Sequence, residues 1–291
     1  MNKTSLAKKA HLLRLTALSL AEGMRSGSFK SLYRGQGIEF NGVREYLRGD
    51  DIRAIDWNVT ARMGKPFVKM FEEERELDVF IVLDKSLSMS TGSGRESRIE
   101  SAVETASLLA LACEYNSSPV GCVIFDGKIR FSCAPKSGAD HIMYLLSQFE
   151  KNLSKRENGS ALSSALHGAG KLLKKRTLVM VISDFRTAEW QDSFARLCQK
   201  HDVVAVRIAD PLDEKLPSIG TVPFKDPETG YREMLPTSSK MFENAWREDN
   251  YKRVEKWKKD CLRHGGYPLI INTANDVTLE LKKFFNAREQ K

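Results

Sequence analysis

The stretch LDVFIVLDKSLS, residues 77–88, decides the fold. Residues 77–83 form a short apolar run rich in β-branched side chains, which predicts a strand that is buried on both faces of a sheet. The run ends at Asp84, and Ser86 and Ser88 follow at alternate positions. Ligands of open α/β sheets collect beyond the carboxyl ends of the strands, so Asp84-Lys85-Ser86-Leu87-Ser88 is a candidate ligand site.

Strand-like and helix-like segments alternate through the rest of residues 77–291. Apolar residues recur at helical spacing in three segments, residues 99–113, 139–149 and 162–173. Other patterns predict strands at 177–182, 203–208 and 269–271, helices at 189–200 and on both sides of the last strand, and a hairpin turning at 227–230. Residues 120–125 and 128–131 flank Asp126-Gly127, a pair favoured in two-residue type I′ turns. The alternation predicts an α/β fold with a mostly parallel, doubly wound, Rossmann-like sheet and helices on both faces.

Residues 1–76 differ in character and are predicted to form an N-terminal segment of helix and short strands. An amphipathic helix opens the segment, and the tract Arg34-Gly35-Gln36-Gly37 leads to a dense run of charges and aromatics over residues 40–71. Apolar side chains within that run argue against disorder. They are Phe40, Tyr46, Leu47, Ile52, Ile55, Trp57, Phe67 and Val68. We therefore divide the chain into residues 1–76 and 77–291.

Charge and cysteine content narrow the classes of function. The 46 Lys and Arg against 38 Asp and Glu give a formal net charge of +8, but the positive charge is spread thinly, which argues against a nucleic-acid partner. The five cysteines form no CxxC pair and predict reduced, mostly buried thiols. No segment reaches the roughly 18 uninterrupted apolar residues that a bilayer span needs. These features predict a cytoplasmic protein without direct membrane insertion.

Two further polar clusters fall at corresponding places of the predicted sheet. One lies in the turn before the third helix, and the other ends the strand predicted at residues 177–182. With the first motif they bring two carboxylates and three hydroxyls to one edge of the sheet, from Asp84, Ser86, Ser88, Ser160 and Asp184. Mg²⁺ prefers oxygen ligands and is usually held by one or two carboxylates plus waters. This set predicts a Mg²⁺ site with a position open to a partner's carboxylate, and Mn²⁺ and Ca²⁺ are alternatives.

The arrangement resembles the metal-ion-dependent adhesion site of von Willebrand factor A domains. In that family the Ser residues of the first motif and a Thr of the second loop are typical direct ligands, and the aspartates bind directly or through water. The resemblance implies a von Willebrand factor A-type domain with these roles at the five positions named above. The second-loop residue here is Ser160, which keeps the hydroxyl but lacks the rigidity of a β-branched side chain.

The N-terminal segment carries a second resemblance. Three stretches, GIEF at residues 37–40, REYLRGDDIRAIDW at 44–57 and Ala61-Arg62, are similar to the bacterial domain-of-unknown-function family 58. Members of that family join this segment to an A-type domain and are typically encoded beside MoxR-type AAA+ ATPases. The resemblance covers about residues 30–185. It implies a MoxR-type AAA+ ATPase, a client protein or both as partners.

Several of these residues also have simpler interpretations. Asp84, Ser86 and Ser88 could simply form a capped loop that leads into the helix at Ser97, because Asp and Ser are common caps. The arginines between Arg44 and Arg62 are predicted to pair with neighbouring aspartates and fix the segment against the sheet, with Trp57 as a packing anchor. His167 is predicted to be structural rather than a catalytic base.

The leading hypothesis is a non-enzymatic adaptor that uses Mg²⁺ to bind an Asp or Glu of a partner during assembly or maturation of a client. The alternative is a Mg²⁺-dependent phosphatase or hydrolase with Asp84 as the nucleophile. Haloacid-dehalogenase-like sites have a second Asp two residues later, where this chain has Ser86, and the chain contains no GxSxG elbow. Nucleic-acid binding driven by net charge is the third and weakest possibility.

Overall fold

The computed structural model describes residues 39–72, 77–93, 96–153, 157, 159–225 and 231–289. They belong to two compact units, one of residues 39–72 and one of the residues from 77 onward. The predicted opening helix and the tract Arg34-Gly35-Gln36-Gly37 lie outside the described residues. None of the described helices is both long and apolar enough to cross a membrane.

The N-terminal unit is a two-stranded antiparallel ribbon. β1 (Glu39–Glu45) pairs with β2 (Phe67–Glu72), and α1 (Trp57–Met63) lies between them in the sequence. Asp56 starts α1, because its carboxylate accepts hydrogen bonds from two backbone amides of the first turn. Gly64 ends the helix with a φ of 69°, which glycine adopts without strain. The short strands predicted here are present, whereas the sequence pattern did not predict α1.

The predicted pairing of arginines with aspartates in this unit is confirmed for one pair, and the prediction for Trp57 is not confirmed. Arg44 makes a bidentate ion pair with Asp50, with both N–O distances at 2.7 Å. Asp51 and Asp56 instead accept hydrogen bonds from backbone amides. The prediction that Trp57 is a packing anchor is wrong, because 67% of the residue is exposed. It occupies the first position of α1, where the Asp56 cap rather than side-chain packing fixes the start of the helix.

A six-stranded sheet forms the centre of the second unit. Its strands are β3 (Val79–Asp84), β4 (Val120–Phe125), β5 (Ile129–Lys136), β6 (Leu178–Ser183), β7 (Asp202–Ala209) and β10 (Tyr267–Asn272). They lie in the order β10-β7-β6-β3-β4-β5, and within this sheet all neighbours are parallel except β4 and β5. A separate hairpin pairs β8 (Thr221–Lys225) with β9 (Arg232–Pro236). The predicted turn at residues 227–230 lies outside the described residues.

Helices cover both faces of the central sheet. They are α2 (Arg98–Tyr115), α3 (Ala139–Glu150), α4 (Leu162–Leu172), α5 (Gln191–Cys198), α6 (Pro211–Glu214), α7 (Lys240–Arg263) and α8 (Val277–Glu289). On one face, α4, α5 and α7 bury Leu166, Phe194 and Trp257 against side chains such as Phe80 of β3. On the other face, α2 contacts β3 and β7 and also packs against α3 and α8. The predicted fold class, a mostly parallel, doubly wound α/β sheet with helices on both faces, is confirmed.

The hairpin of β4 and β5 has a longer turn than predicted. Phe125 pairs with Ile129, so three residues rather than two connect the strands. The Asp126 carboxylate accepts hydrogen bonds from the Lys128 amide and from the Arg130 guanidinium. This side-chain closure replaces the backbone turn type that the pair Asp126-Gly127 favours. The other predicted elements within the described residues agree with the structure apart from the residues at which they begin and end.

Candidate metal centre

Asp84 is the last residue of β3, and two hydrogen bonds hold its buried carboxylate. The Ser86 backbone amide donates to Oδ1 at 2.8 Å, and the Ser183 hydroxyl donates to Oδ2 at 2.6 Å. The hydroxyl oxygens of Ser86 and Ser88 lie 3.0 Å apart. The Asp84 carboxylate thus caps its own loop through the Ser86 amide, and Ser97 caps the helix that follows, α2. The loop therefore gathers one carboxylate and two hydroxyls at the end of a buried strand.

The other two predicted loops lie at the same edge of the sheet, the loop of Ser160 through backbone hydrogen bonds and the loop of Asp184 through the order of the strands. The Lys85 amide donates to the Phe125 carbonyl at 2.7 Å, and the Ala161 amide donates to the next carbonyl, that of Asp126, also at 2.7 Å. Ser160 therefore precedes a residue that is fixed at the end of β4. Asp184 directly follows β6, which neighbours β3 on its other side. All three loops thus meet at the carboxyl edge of β4, β3 and β6.

Two of the five predicted ligands keep a buried oxygen without a hydrogen-bond partner among the described residues. They are Ser160 Oγ and Asp184 Oδ2. The second carboxylate oxygen, Asp184 Oδ1, accepts a hydrogen bond from the Arg186 amide at 3.1 Å. The Arg186 Nε lies 3.9 Å from Asp184 Oδ2, which is an ionic contact rather than a hydrogen bond. A buried oxygen without a partner costs about 1–3 kcal/mol, so a ligand for both atoms would stabilise the fold.

Burial and the charge of Asp184 disfavour the charged form of Asp84. Burial, followed by the nearby charge of Asp184, raises the pKa of Asp84 to about 7, against the hydrogen bonds from Ser183 and Ser86 that lower it. A cation between the two groups would reverse this shift, because it favours the charged form of both. The described residues contain no cluster of three or more His, Cys, Asp or Glu side chains suited to a metal. A metal here would therefore need the hydroxyls and water to complete its ligands, a set that suits Mg²⁺.

Lys85, inside the first motif, serves a different part of the fold. Its side chain is buried, and Nζ donates to the backbone carbonyls of Phe149 and Lys151, the latter at 3.0 Å. These carbonyls lie at the carboxyl end of α3, where a positive charge is favourable. Lys85 thereby anchors the motif to α3.

An ionic network borders the site on the side of β7. The Arg98 guanidinium contacts the Asp213 carboxylate at 2.5 Å, and both side chains are almost fully buried. Arg186 also bonds Asp213 while it contacts Asp184, so it connects this network with the candidate site. The sequence pattern did not identify these residues, because Arg98 and Asp213 are 115 positions apart. The role of Ser183 was missed as well, although its place directly before Asp184 was a usable signal.

The five predicted ligands are therefore placed as follows. Asp84, Ser86 and Ser88 form one compact loop, Asp184 lies beside Asp84, and Ser160 reaches the same edge with its hydroxyl buried. Their role as metal ligands stays a prediction.

The protein family was identified by sequence comparison. The family described as "Protein of unknown function DUF58" matches residues 42–256. The chain belongs to this family. The matched residues of this DUF58 chain include most of the N-terminal unit and every predicted ligand.

Three similar proteins share between 16% and 26% of their sequence with this chain. An uncharacterized protein of Mycobacterium tuberculosis is 26% identical over 296 residues, which covers 98% of this chain and 90% of the relative. An aerotolerance-related membrane protein from Bacteroides fragilis is similar in structure, with 20% identity, a TM-score of 0.49, and coverage of 74% of this chain and 98% of that one. The conserved hypothetical protein BatB from Bacteroides thetaiotaomicron is 16% identical, with a TM-score of 0.45 and coverage of 74% and 100%.

Proposed function

We propose that this DUF58 chain is a non-enzymatic, metal-dependent protein-interaction module. The residues that would hold Mg²⁺, or Mn²⁺ or Ca²⁺ in its place, are Asp84, Ser86, Ser88, Ser160 and Asp184. One observation carries the proposal: Ser160 and Asp184 each keep a buried oxygen without a hydrogen-bond partner, at the edge where Asp84 ends its strand. A buried oxygen needs a hydrogen-bond donor or a cation. Two such oxygens, in loops that supply predicted ligands, support the proposal of one cation that binds both.

The chemistry of the ligand set favours docking. Mg²⁺ takes six oxygen ligands, so five protein residues leave room for an oxygen from outside. A carboxylate from a partner's Asp or Glu would complete the set. The Arg186 side chain is 30% exposed and lies beside Asp184, so it can attract a carboxylate that approaches the same edge. We infer that a partner would present an acidic side chain to this edge.

The partner class rests on the resemblance of residues 37–62 to the family whose members are encoded beside MoxR-type AAA+ ATPases. We propose that such an ATPase, its client protein or both bind this chain, which would act as an adaptor in assembly or maturation. An AAA+ ATPase needs ATP, which is supplied in the cytoplasm. We therefore propose that the interaction takes place there.

Co-purification with a MoxR-type AAA+ ATPase that is encoded beside this chain tests the proposal. We expect recovery of the ATPase by the wild-type chain in Mg²⁺, and its loss in chelator or with Asp84→Ala. Asp249→Ala is the matched control, because Asp249 lies on α7 with 78% of its side chain exposed. Equal recovery by wild type in Mg²⁺ and in chelator would contradict the metal-dependent contact.

The enzymatic alternative finds less support. A phosphatase with Asp84 as nucleophile would need a general acid two residues later, where Ser86 bonds Ser88 instead. His167 is exposed on α4, so it does not serve as a buried base. Mg²⁺-dependent turnover of a generic phosphoester, lost in Asp84→Asn while the fold is kept, would favour this alternative.

A further inference from the structure

Two cysteines face each other on the hairpin at the edge of the central sheet. Cys122 of β4 pairs directly with Cys133 of β5, and their Sγ atoms lie 4.0 Å apart. Both thiols are free, and Cys122 is fully buried while Cys133 is half-buried. Opposed residues of antiparallel strands have Cα atoms about 4.5–5.5 Å apart, a separation that a disulfide accepts. Side-chain rotation alone can therefore bring the two sulfurs together.

The backbone beside the pair fixes its register. Val120 pairs with Lys136 and Cys122 with Cys133, so β5 contains one extra residue at this point. Gly121 lies opposite this bulge, where a Cβ would come within 2.8 Å of the Cys133 carbonyl oxygen. The strands can approach this closely only because residue 121 is glycine. The bulge and the glycine together hold the two cysteines opposite each other.

The more exposed thiol of the pair is also the more acidic. A hydrogen bond from the Cys122 thiol, helped by the charge of Lys136, lowers the pKa of Cys133 to about 7 in spite of its burial. By contrast, burial raises the pKa of Cys113, Cys198 and Cys261 to about 12. Peroxides react with thiolates, so Cys133 is the thiol of this chain that they would attack first.

We propose that Cys122 and Cys133 are a site of reversible oxidation, which a peroxide converts into a cross-strand disulfide. The Cys133 thiolate attacks one peroxide oxygen, the O–O bond breaks, and the departing hydroxide takes up a proton to become water. The resulting sulfenic acid is attacked by Cys122, which loses its proton as the S–S bond forms and a second water leaves. Two thiols thus lose two electrons to the peroxide, and a dithiol reverses the reaction by exchange.

The disulfide would join the edge strand β5 covalently to β4. Neither cysteine belongs to the proposed metal ligands, so the site is independent of the proposed docking function. Its oxidation can be tested in the absence of any metal or partner.

The test is peroxide treatment of the folded, full-length chain in chelator, followed by digestion without reductant and mass spectrometry. We expect the loss of two of the five thiols, and a linked peptide of Cys122 and Cys133 that lacks two hydrogen atoms and disappears on dithiol treatment. The wild-type chain gives this result without any substitution, so folding of a variant is not needed to decide it.

Variants identify the thiols that react. Cys198→Ala should leave the linked peptide unchanged, because Cys198 has the same partial exposure as Cys133 but is not part of the hairpin. Cys122→Ser should leave Cys133 to oxidise further, to the sulfinic acid, in a chain whose circular dichroism is unaltered. The proposal is overturned if peroxide links other cysteines, or oxidises Cys133 to the sulfinic acid in the wild-type chain without forming the linked peptide.

Discussion

Two buried polar clusters at the carboxyl edge of the sheet differ in how completely they are bonded. Beyond β7, Asp210 accepts hydrogen bonds from the Ser93 amide at 3.0 Å, the Ser93 hydroxyl at 2.6 Å and the Thr273 hydroxyl at 2.9 Å. Beyond β4 and β6, Ser160 and Asp184 each keep a buried oxygen that has no hydrogen-bond partner among the described residues. Similar residue types thus give a closed network in one place and an open one in the other.

The pKa values of the two clusters shift in opposite directions. Burial raises the pKa of Asp210, but hydrogen bonds led by those of Ser93 outweigh it and lower the pKa overall. Burial and the charge of Asp184 raise the pKa of Asp84 to about 7. In the closed cluster hydrogen bonds favour the charged form of Asp210, whereas in the open cluster burial and the charge of Asp184 disfavour the charged form of Asp84. We therefore propose that an external cation would bind at the open cluster, and that the closed one is structural.

Loss of the buried ion pair should have the largest effect on stability. In Arg98→Met the Asp213 carboxylate keeps Arg186 but loses its buried partner, and we expect a loss of about 3–5 kcal/mol in the free energy of unfolding. Urea unfolding measures this loss. Arg263→Met, at an exposed position of α7, should change stability by less than about 0.5 kcal/mol. Equal effects of the two substitutions would contradict a structural role for the pair.

The paired substitutions Asp210→Ala and Asp84→Ala compare the two clusters directly in chelator. Asp210→Ala removes a bonded carboxylate and should cost about 2–3 kcal/mol. Asp84→Ala should cost less, because it also removes the unfavourable interaction with Asp184. Urea unfolding of both variants gives the comparison, and a larger loss for Asp84→Ala would reverse it.

Stability of the metal-free chain should depend on pH through Asp84. Its folded-state pKa of about 7 lies above the ordinary value of 3.8 for an aspartate, so the folded chain holds this proton more tightly than the unfolded chain does. The stabilising contribution is present at low pH and is lost as the pH rises to about 7, with a total on the order of 4 kcal/mol.

Thermal unfolding in chelator from pH 4 to 8 measures this dependence. We expect Asp84→Asn to remove the part of the slope that Asp84 causes, and saturating Mg²⁺ to reduce it in the wild type. A slope that is identical in wild type and Asp84→Asn would show that Asp84 does not cause it.

Substitution of Ser160 should have the smallest effect. Ser160→Ala removes a buried hydroxyl without a partner, so the metal-free stability should change by less than about 0.5 kcal/mol or increase. In Mg²⁺ the same variant should show a smaller rise of Tm than the wild type, and Ser160→Thr should retain the rise. Ser147→Ala, on an exposed position of α3, is the control and should behave as the wild type in both conditions.

The strands and helices were predictable because burial and spacing repeat along the chain. The apolar runs at residues 77–83 and 177–182 predict buried strands, and the polar residues after each run indicate the edge of the sheet. The turn at Asp126 was predicted too short, because the Arg130 side chain closes it. A pattern of neighbours in the sequence does not contain such a contact.

The position of the five predicted ligands at one edge of the sheet was predictable from the sequence, whereas the residues around them were not. The five ligand positions follow from strand ends and from resemblance, whereas the contacts of Arg186 and Arg98 with Asp213 join residues that are distant in the sequence. The prediction for Trp57 was wrong for another reason: a run that mixes charged and aromatic residues does not show which aromatic side chain is exposed.

Isothermal titration of the chelator-treated chain with Mg²⁺ tests the central claim most directly. We predict saturable binding by the wild type, its loss in Asp84→Asn and Asp184→Asn, and unchanged binding by the exposed control Asp249→Asn. Absence of binding by a folded wild-type chain, or equal binding by wild type and Asp184→Asn, would contradict the account.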